Sequence, residues 1–171
     1  VCYGAQISLL VGLIGACVSL VIGVSWGALA GYNGGQLDGV MMRFVDILYA
    51  LPAVIFAIVL ISALEPPLKH WFGQMGYSNP GKAVRLLLLF AGLAAVSWLT
   101  MARIVRGQVL SLRTQAFVEA SRVLGAGHAH ILRRHILPNI WGVVIVYLTL
   151  TVPAIMLYES FLSYLGLGIQ P

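Results

Sequence analysis

Residues 5–32 read AQISLLVGLIGACVSLVIGVSWGALAGY, and no charged side chain interrupts them. A helix that crosses about 30 Å of hydrocarbon needs about 20 apolar residues at about 1.5 Å each. This run crosses with residues to spare. Outward from it lie three more charge-free intervals, bounded by Asp46 and Glu65, by Arg85 and Arg103, and by His135 and Glu159. Spans are therefore expected near 5–32, 46–64, 85–103 and 137–158. The second and third need Asp46, Arg85 and Arg103 at the interfaces, where an arginine stem snorkels to water. The 171 residues are 60% hydrophobic and only 9% charged, against about 25% charged in a soluble domain. Such a chain cannot clothe a core in water-facing groups. The fold class is an all-α membrane protein, a polytopic helical bundle with about four transmembrane helices and the lipid bilayer as its solvent.

The net charge is +5, but the basic residues fall between apolar runs and not along one exposed face. Membrane topology explains them better than phosphate neutralisation does, so no nucleic-acid partner is expected. Arg43, Arg103, Arg106, Arg113, Arg122, Arg133 and Arg134 fall on one side; Lys69, Lys82 and Arg85 fall on the other. Seven against three makes the first side cytoplasmic. The chain then enters from outside and finishes outside at Gly168-Ile169-Gln170-Pro171. It opens on Val1 with no basic segment ahead of its apolar run, unlike a signal peptide. An even span number with both ends outside predicts a piece of a longer protein. Cys2 and Cys17 have no CxxC or Cys/His ligand spacing, which points to neither a disulfide scaffold nor a zinc site.

Within the first run, Gly15, Ser19, Gly23, Gly27 and Gly31 recur every four residues. The spacing sets small side chains along one helix face, so that a second helix approaches closely; a pore-lining stripe is the alternative. Pro52 and Pro153 each remove a backbone donor and predict kinks. Pro66-Pro67 and Asn79-Pro80 are breakers, and an irregular excursion is expected from Glu65 to Gly81, with Trp71 and Phe72 near the headgroups.

The basic connection over 107–138 is too polar to span and too rich in helix formers to be disordered. Val118, Val123 and Leu124 with Ala120 have a helical apolar spacing. Gly125 and Gly127 permit a chain reversal at positive φ. A second short helix follows, with Ile131 and Leu132 on one side and Arg133 and Arg134 on the other, and Pro138 opens the fourth span. The expected piece is a helix–turn–helix lying on the cytoplasmic surface between two spans. A partner gripping it in a groove could tilt both spans; anchoring to anionic lipid is the plainer use. Composition leaves these two level.

Glu119-Ala120-Ser121, then Gly125, then Leu137-Pro138 resembles the EAA signature of ABC-importer permeases. Arg134-His135-Ile136-Leu137-Pro138-Asn139 is similar to the form in the dipeptide, oligopeptide and nickel importer group. Tyr3 to Leu9, Met42 to Asp46, Val105 to Leu110 and Leu162 to Gly168 also match, in family order, across almost the whole chain. Two departures stand out: Ser121 replaces the second alanine, and His135 stands where many members have isoleucine. Serine is small enough to keep the packing, and His135 suits the peptide-type subgroup. The family's opening and closing helices have no counterpart in these residues.

The resemblance implies a bundle of the type I ABC importer permease kind, in a bacterial or archaeal inner membrane. A second, homologous permease subunit would complete the pore. Two cytoplasmic ATPase subunits would use ATP, and an extracytoplasmic solute-binding protein would deliver di- or oligopeptides. This chain would bind no cofactor and no metal and would be no enzyme. Its ATPase-coupling residues would be Glu119, Ala120, Ser121, Gly125, His128, His130, Arg133, Arg134, His135, Leu137 and Pro138. Glu119 and Gly125 would set the geometry; His128, His130, Arg133 and Arg134 would make contact.

Sharper chemistries also have candidates. Gly23-Val24-Ser25-Trp26-Gly27 matches a nucleophile elbow, which needs a strand–turn–helix setting and a nearby histidine; an intramembrane hydrolase using Ser25 is the alternative this raises. His128, His130 and His135 lack the i, i+4 spacing usual for helical ligands. Glu159, at the end of the fourth span, is the candidate pore-mouth residue or an interfacial anchor. An ion-coupled carrier would need ionisable groups inside the spans, and both Asp46 and Glu159 sit at span ends.

Overall fold

A computed structural model describes residues 2–74 and 80–165. Among these the chain forms six continuous helices and no strand. Helix α1 (2–33) joins Cys2–Val18 to Val24–Asn33 through a π-helical turn, Ser19–Gly23. Helix α2 is Gly35–Ala50, α3 is Ala53–Gln74, α4 is Pro80–Leu112 and α5 is Ala116–Val123. Helix α6 (128–164) joins His128–Ile131 to Leu137–Tyr164 through a second π turn, Leu132–Ile136.

The small-residue stripe is the seam of the bundle. Gly23 lies against Met101 and the Trp98 carbonyl, Gly27 against the Ala102 carbonyl and Val105, and Gly31 against the Arg106 carbonyl and Val109. Ser19 is fully buried and donates to the Ser97 carbonyl at 3.1 Å. Gly15 packs on Ile155 of α6, and its carbonyl accepts Ser97 Oγ at 3.2 Å. The packing reading of the stripe holds. A four-residue repeat drifts about 40° per step on an α-helix, which from Ser19 to Gly31 would carry the face about 120° off α4. The π turn adds one residue to the spiral and returns about 100°. That turn keeps the stripe on its partner.

Helix α1 also packs along α6, α3 packs on α4, and α2 packs across α1 and α4. Among the described residues three helices are long and apolar enough to cross a membrane: Ser8–Asn33, Ala53–Gln74 and His128–Tyr164. The expected third span, 85–103, lies inside the 33-residue α4. Many large apolar side chains on the outer faces stay exposed, among them Leu9, Val21, Val59, Leu150 and Leu157, as suits a bundle with lipid around it.

Three sequence expectations need correction. The interval 46–64 is not one helix: Leu51 is extended ahead of Pro52, so 46–50 close α2 and a new helix opens at Ala53. The stretch from Glu65 is not irregular as far as Gln74, because α3 runs through Pro66 and Pro67. These prolines leave the Ser62 and Ala63 carbonyls without helical donors, and the Glu65–Lys69 ion pair, 2.6 Å, straps that turn from outside. The rest of that expectation, 75–79, lies outside the described residues. Finally, Pro138 lies in the first turn of Leu137–Tyr164 as expected, but that helix is not separate from the short one before it. The π turn just ahead of it shifts the hydrogen-bond register, so His128 to Tyr164 form one rod. Pro153 is likewise inside α6 without breaking it.

Candidate functional site

The segment expected to couple folds as a hairpin between α4 and α6. After Leu112 the Gln115 carbonyl accepts the Val118 and Glu119 amides at 2.9 and 3.2 Å and starts α5. At its far end Gly125 takes φ +84°. The Gly125 amide then reaches the Arg122 carbonyl at 2.9 Å, and the Ala126 amide reaches Ser121 at 3.0 Å. This bond pair is a Schellman closure, which needs the left-handed residue that glycine supplies.

Val118 and Ile131 are fully buried, one on each arm, in a cluster with Val105, Val109, Ile136 and Ile140. That cluster welds the hairpin to both long helices. Its tip is bare: Val123 is 88% exposed and Leu124 87%. The expected apolar face of α5 is thus split, with Val118 turned inward and Val123 and Leu124 turned out.

Polar contacts brace the weld. Arg113 Nη1 donates to the Gly31 and Tyr32 carbonyls at 3.2 and 3.3 Å, capping α1 with a cation where its dipole is negative. Gly34, at φ +65°, leaves room for that guanidinium; a Cβ there would strike it. The Tyr32 hydroxyl and His128 Nδ1 are 3.0 Å apart, their rings edge to face. Ser121 Oγ donates to the Phe117 carbonyl at 2.9 Å and lies 3.4 Å from His135 Nε2. Asn139 Nδ2 donates to the His135 carbonyl at 2.6 Å.

The coupling candidates therefore separate into groups. Glu119 and His128 line a polar cleft of about 420 Å³ with Tyr32, Arg113 and Arg122; Glu119 forms no ion pair among the described residues. Ser121, His130 and His135 cluster, with the two imidazole centroids 5.9 Å apart. Gly125 is at the tip; Ala120, Arg133, Arg134 and Pro138 are exposed, and Leu137 packs against the buried cluster. Glu159 belongs to none of these. It lies near the other end of α6, about 46 Å away at about 1.5 Å per residue, is 6% exposed, and accepts Ser8 Oγ at 2.7 Å.

Two ion pairs went unread in the sequence. Arg106 makes a two-pronged contact with Asp38 at 2.5 and 2.6 Å, and Asp38 is only 7% exposed. Arg103 meets Asp46 at 2.7 Å and lies 4.0 Å over the Tyr49 ring. The signal was opposite charges at the facing ends of two apolar runs. The nucleophile-elbow reading finds no support: Ser25 sits mid-helix and donates to the Val21 carbonyl at 2.6 Å. Among the described residues no group of three or more metal-ligating side chains forms.

Residues 23–171 match the family described as binding-protein-dependent transport system inner membrane component. The oligopeptide transport system permease protein OppC of Haemophilus influenzae is 46% identical over 98% of this chain and 48% of its own length. The dipeptide transport system permease protein DppC of Bacillus subtilis is 43% identical over 98% and 47%. OppC of Escherichia coli K12 is 46% identical over 99% and 50%. The chain spans about half the length of these curated relatives. With a helical bundle, a welded hairpin carrying Glu119, Gly125 and Pro138, and this match over most of its residues, the chain belongs to the family of binding-protein-dependent transport system inner membrane components, the permeases of ABC importers.

Proposed function

We propose that this chain is the pore-forming part of a permease subunit in an ATP-driven, binding-protein-dependent importer of di- and oligopeptides. The hairpin carries the reading. Its arms are buried against α1, α4 and α6, while its tip offers Val123 and Leu124 to water. A lipid anchor would gain from these two only if they faced the bilayer, whereas a groove in a partner protein would bury them against its own apolar wall.

Two cytoplasmic ATPase subunits are the partners for this tip, one on each of two homologous permease subunits. An extracytoplasmic binding protein delivers solute at the opposite end, where Glu159 is the pore-mouth candidate. ATP is bound and used by the ATPase subunits, not by this chain. Closure of the ATPase dimer pulls the tip, and the Val118–Ile131 weld passes the pull to α4 and α6. The pull does work only because the tip is bound differently in the inward- and outward-facing states. Glu119 and Gly125 shape the hairpin; His128, His130, Arg133 and Arg134 contact the ATPase. Peptide cargo is favoured by the names of the relatives and by the Arg134–Asn139 form of the signature.

Gly125→Val tests the coupling. No neighbour lies within 4 Å of the added Cβ, but φ +84° strains any β-branched residue. At about 1–3 kcal/mol the strain reshapes the tip and leaves the bundle standing. The variant is expected in the membrane at normal levels, with ATP hydrolysis no longer driving uptake. Normal peptide uptake would refute the coupling role.

A further inference from the structure

The chain breaks between α2 and α3, beside the middle of α4. Leu51 is extended at φ −83°, ψ 124°, and Pro52 brings no N–H for the Leu48 carbonyl. The last carbonyls of α2 and the first amides of α3 are left without intrahelical partners. The break borders α4 where Ser97 meets Gly15 and Ser19, the middle of α1. Backbone freed at such depth is tolerated where protein or a water-filled cavity meets it.

A cleft of about 430 Å³ adjoins the break, walled by the α2–α3 junction, α4 and α6. Sites for small molecules run from about 300 to 1,000 Å³. Tyr49, Thr100, Tyr147 and Tyr158 line it, and none of their hydroxyls has a hydrogen-bond partner among the described residues. No Asp, Glu, Lys, Arg or His lines it; Arg103 behind Tyr49 is paired with Asp46, and Glu159, next to Tyr158, is buried and holds Ser8 Oγ at 2.7 Å. A wall facing lipid gains nothing from unpartnered hydroxyls at this depth, since tyrosines on lipid-facing surfaces belong at the headgroups. Neutral hydroxyls beside free backbone groups match one ligand chemistry well: other amides.

We propose that this cleft is a solute site that holds the uncharged backbone amides of a short peptide during its passage. The inference rests on the permease reading and adds the place and the mode of recognition. A charge-free lining grips the peptide backbone without sorting side chains by charge. Acidic and basic tripeptides then compete for it equally.

The test uses the full-length permease assembled with its ATPase and binding-protein partners in lipid vesicles. With Cys2→Ser and Cys17→Ser, Ala154→Cys sets a reporter thiol on the exposed cleft wall. Trialanine during ATP turnover should slow alkylation of that thiol by N-ethylmaleimide severalfold, and its backbone N-methylated form should protect much less. Tyr147→Phe with Thr100→Val should raise the half-saturating trialanine concentration for uptake about tenfold, with capture by the binding protein unchanged. Wild-type import of trialanine with no protection at position 154 would overturn the site alone. So would a thiol that never reacts, because protein then covers the cleft. A wild-type assembly that imports no peptide would overturn the permease reading and the site with it.

Discussion

The α1–α4 seam and the 113–127 hairpin use glycine for opposite ends. At the seam, Gly23, Gly27 and Gly31 bring one backbone onto another, and each added Cβ would meet a carbonyl oxygen or a buried side chain. At the hairpin, a Cβ added at Gly125 or Gly127 would meet nothing within 4 Å, and at Gly125 a positive φ is the whole requirement. The seam is specified by space and the hairpin by torsion. A seam of the first kind fixes how two spans cross, and any change there is felt by the whole bundle. A turn of the second kind can be deformed while the bundle stands. A lever needs both: a fulcrum that does not yield, and a tip whose shape a partner reads.

Substitution at the seam should have the largest effect. In Gly27→Val the Cβ would overlap the Ala102 carbonyl oxygen and crowd Val105 and the Arg106 amide. The Ala102 oxygen and the Arg106 nitrogen are backbone atoms, which cannot swing aside. A loss of more than about 4 kcal/mol is expected, in the range reserved for severe core disruption, read as failure to recover folded protein in mild detergent. Recovery of a variant with the wild-type melting temperature would mean that the seam is looser than its geometry.

The next effect belongs to the ion pair at the Gly31 end of the seam. Arg106→Met strands Asp38, whose side chain is 9% exposed, whereas the arginine itself is 35% exposed. A cost of about 3 kcal/mol follows, the low end for breaking a buried pair. Arg103→Met is the control: Asp46 is 62% exposed, and a pair in water contributes at most about 1 kcal/mol. Thermal melting of the two purified variants should therefore separate them clearly. Equal melting temperatures would show that Asp38 finds another partner.

How far the sequence disclosed this architecture depended on the range of each signal. Charge-free runs report on a local property, solvation by lipid, and three of the four fall inside long helices, whereas 46–64 straddles the break at Leu51-Pro52. The stripe from Gly15 to Gly31 needs only a helical period, and its packing role was readable. Pro66 and Pro67 misled because the strap that tolerates them, Glu65 to Lys69, is weighed against a breaker signal usually decisive on its own. Pro138 was rightly placed in a first turn, but the continuity from His128 to Tyr164 stayed hidden, since it runs through a π turn and no residue pattern announces one. The partners of Asp38 and of His128 lie 68 and 96 residues away. No periodicity connects such positions, so the two-pronged pair and the Tyr32 brace stayed hidden. Val123 and Leu124 carried an apolar signal without a direction, because a helix of eight residues can turn apolar groups either to its own core or to a partner.

That last ambiguity leads to the smallest stability effect and the sharpest test of the contrast. Val123→Ser with Leu124→Ser removes apolar surface that no described residue covers. Stability of the isolated permease should move by no more than about 0.5 kcal/mol, as for substitutions on an open surface. Yet the same pair of changes should release the ATPase from the assembled transporter, because burying each such side chain at an interface contributes about 1.5–3 kcal/mol. Co-purification of the ATPase and the melting temperature of the permease are read on the same preparation. Loss of the ATPase with an unchanged melt is the outcome that separates tip from seam. A melt that falls while the ATPase stays bound would place Val123 and Leu124 in the chain's own core, and the tip would cease to be a surface at all.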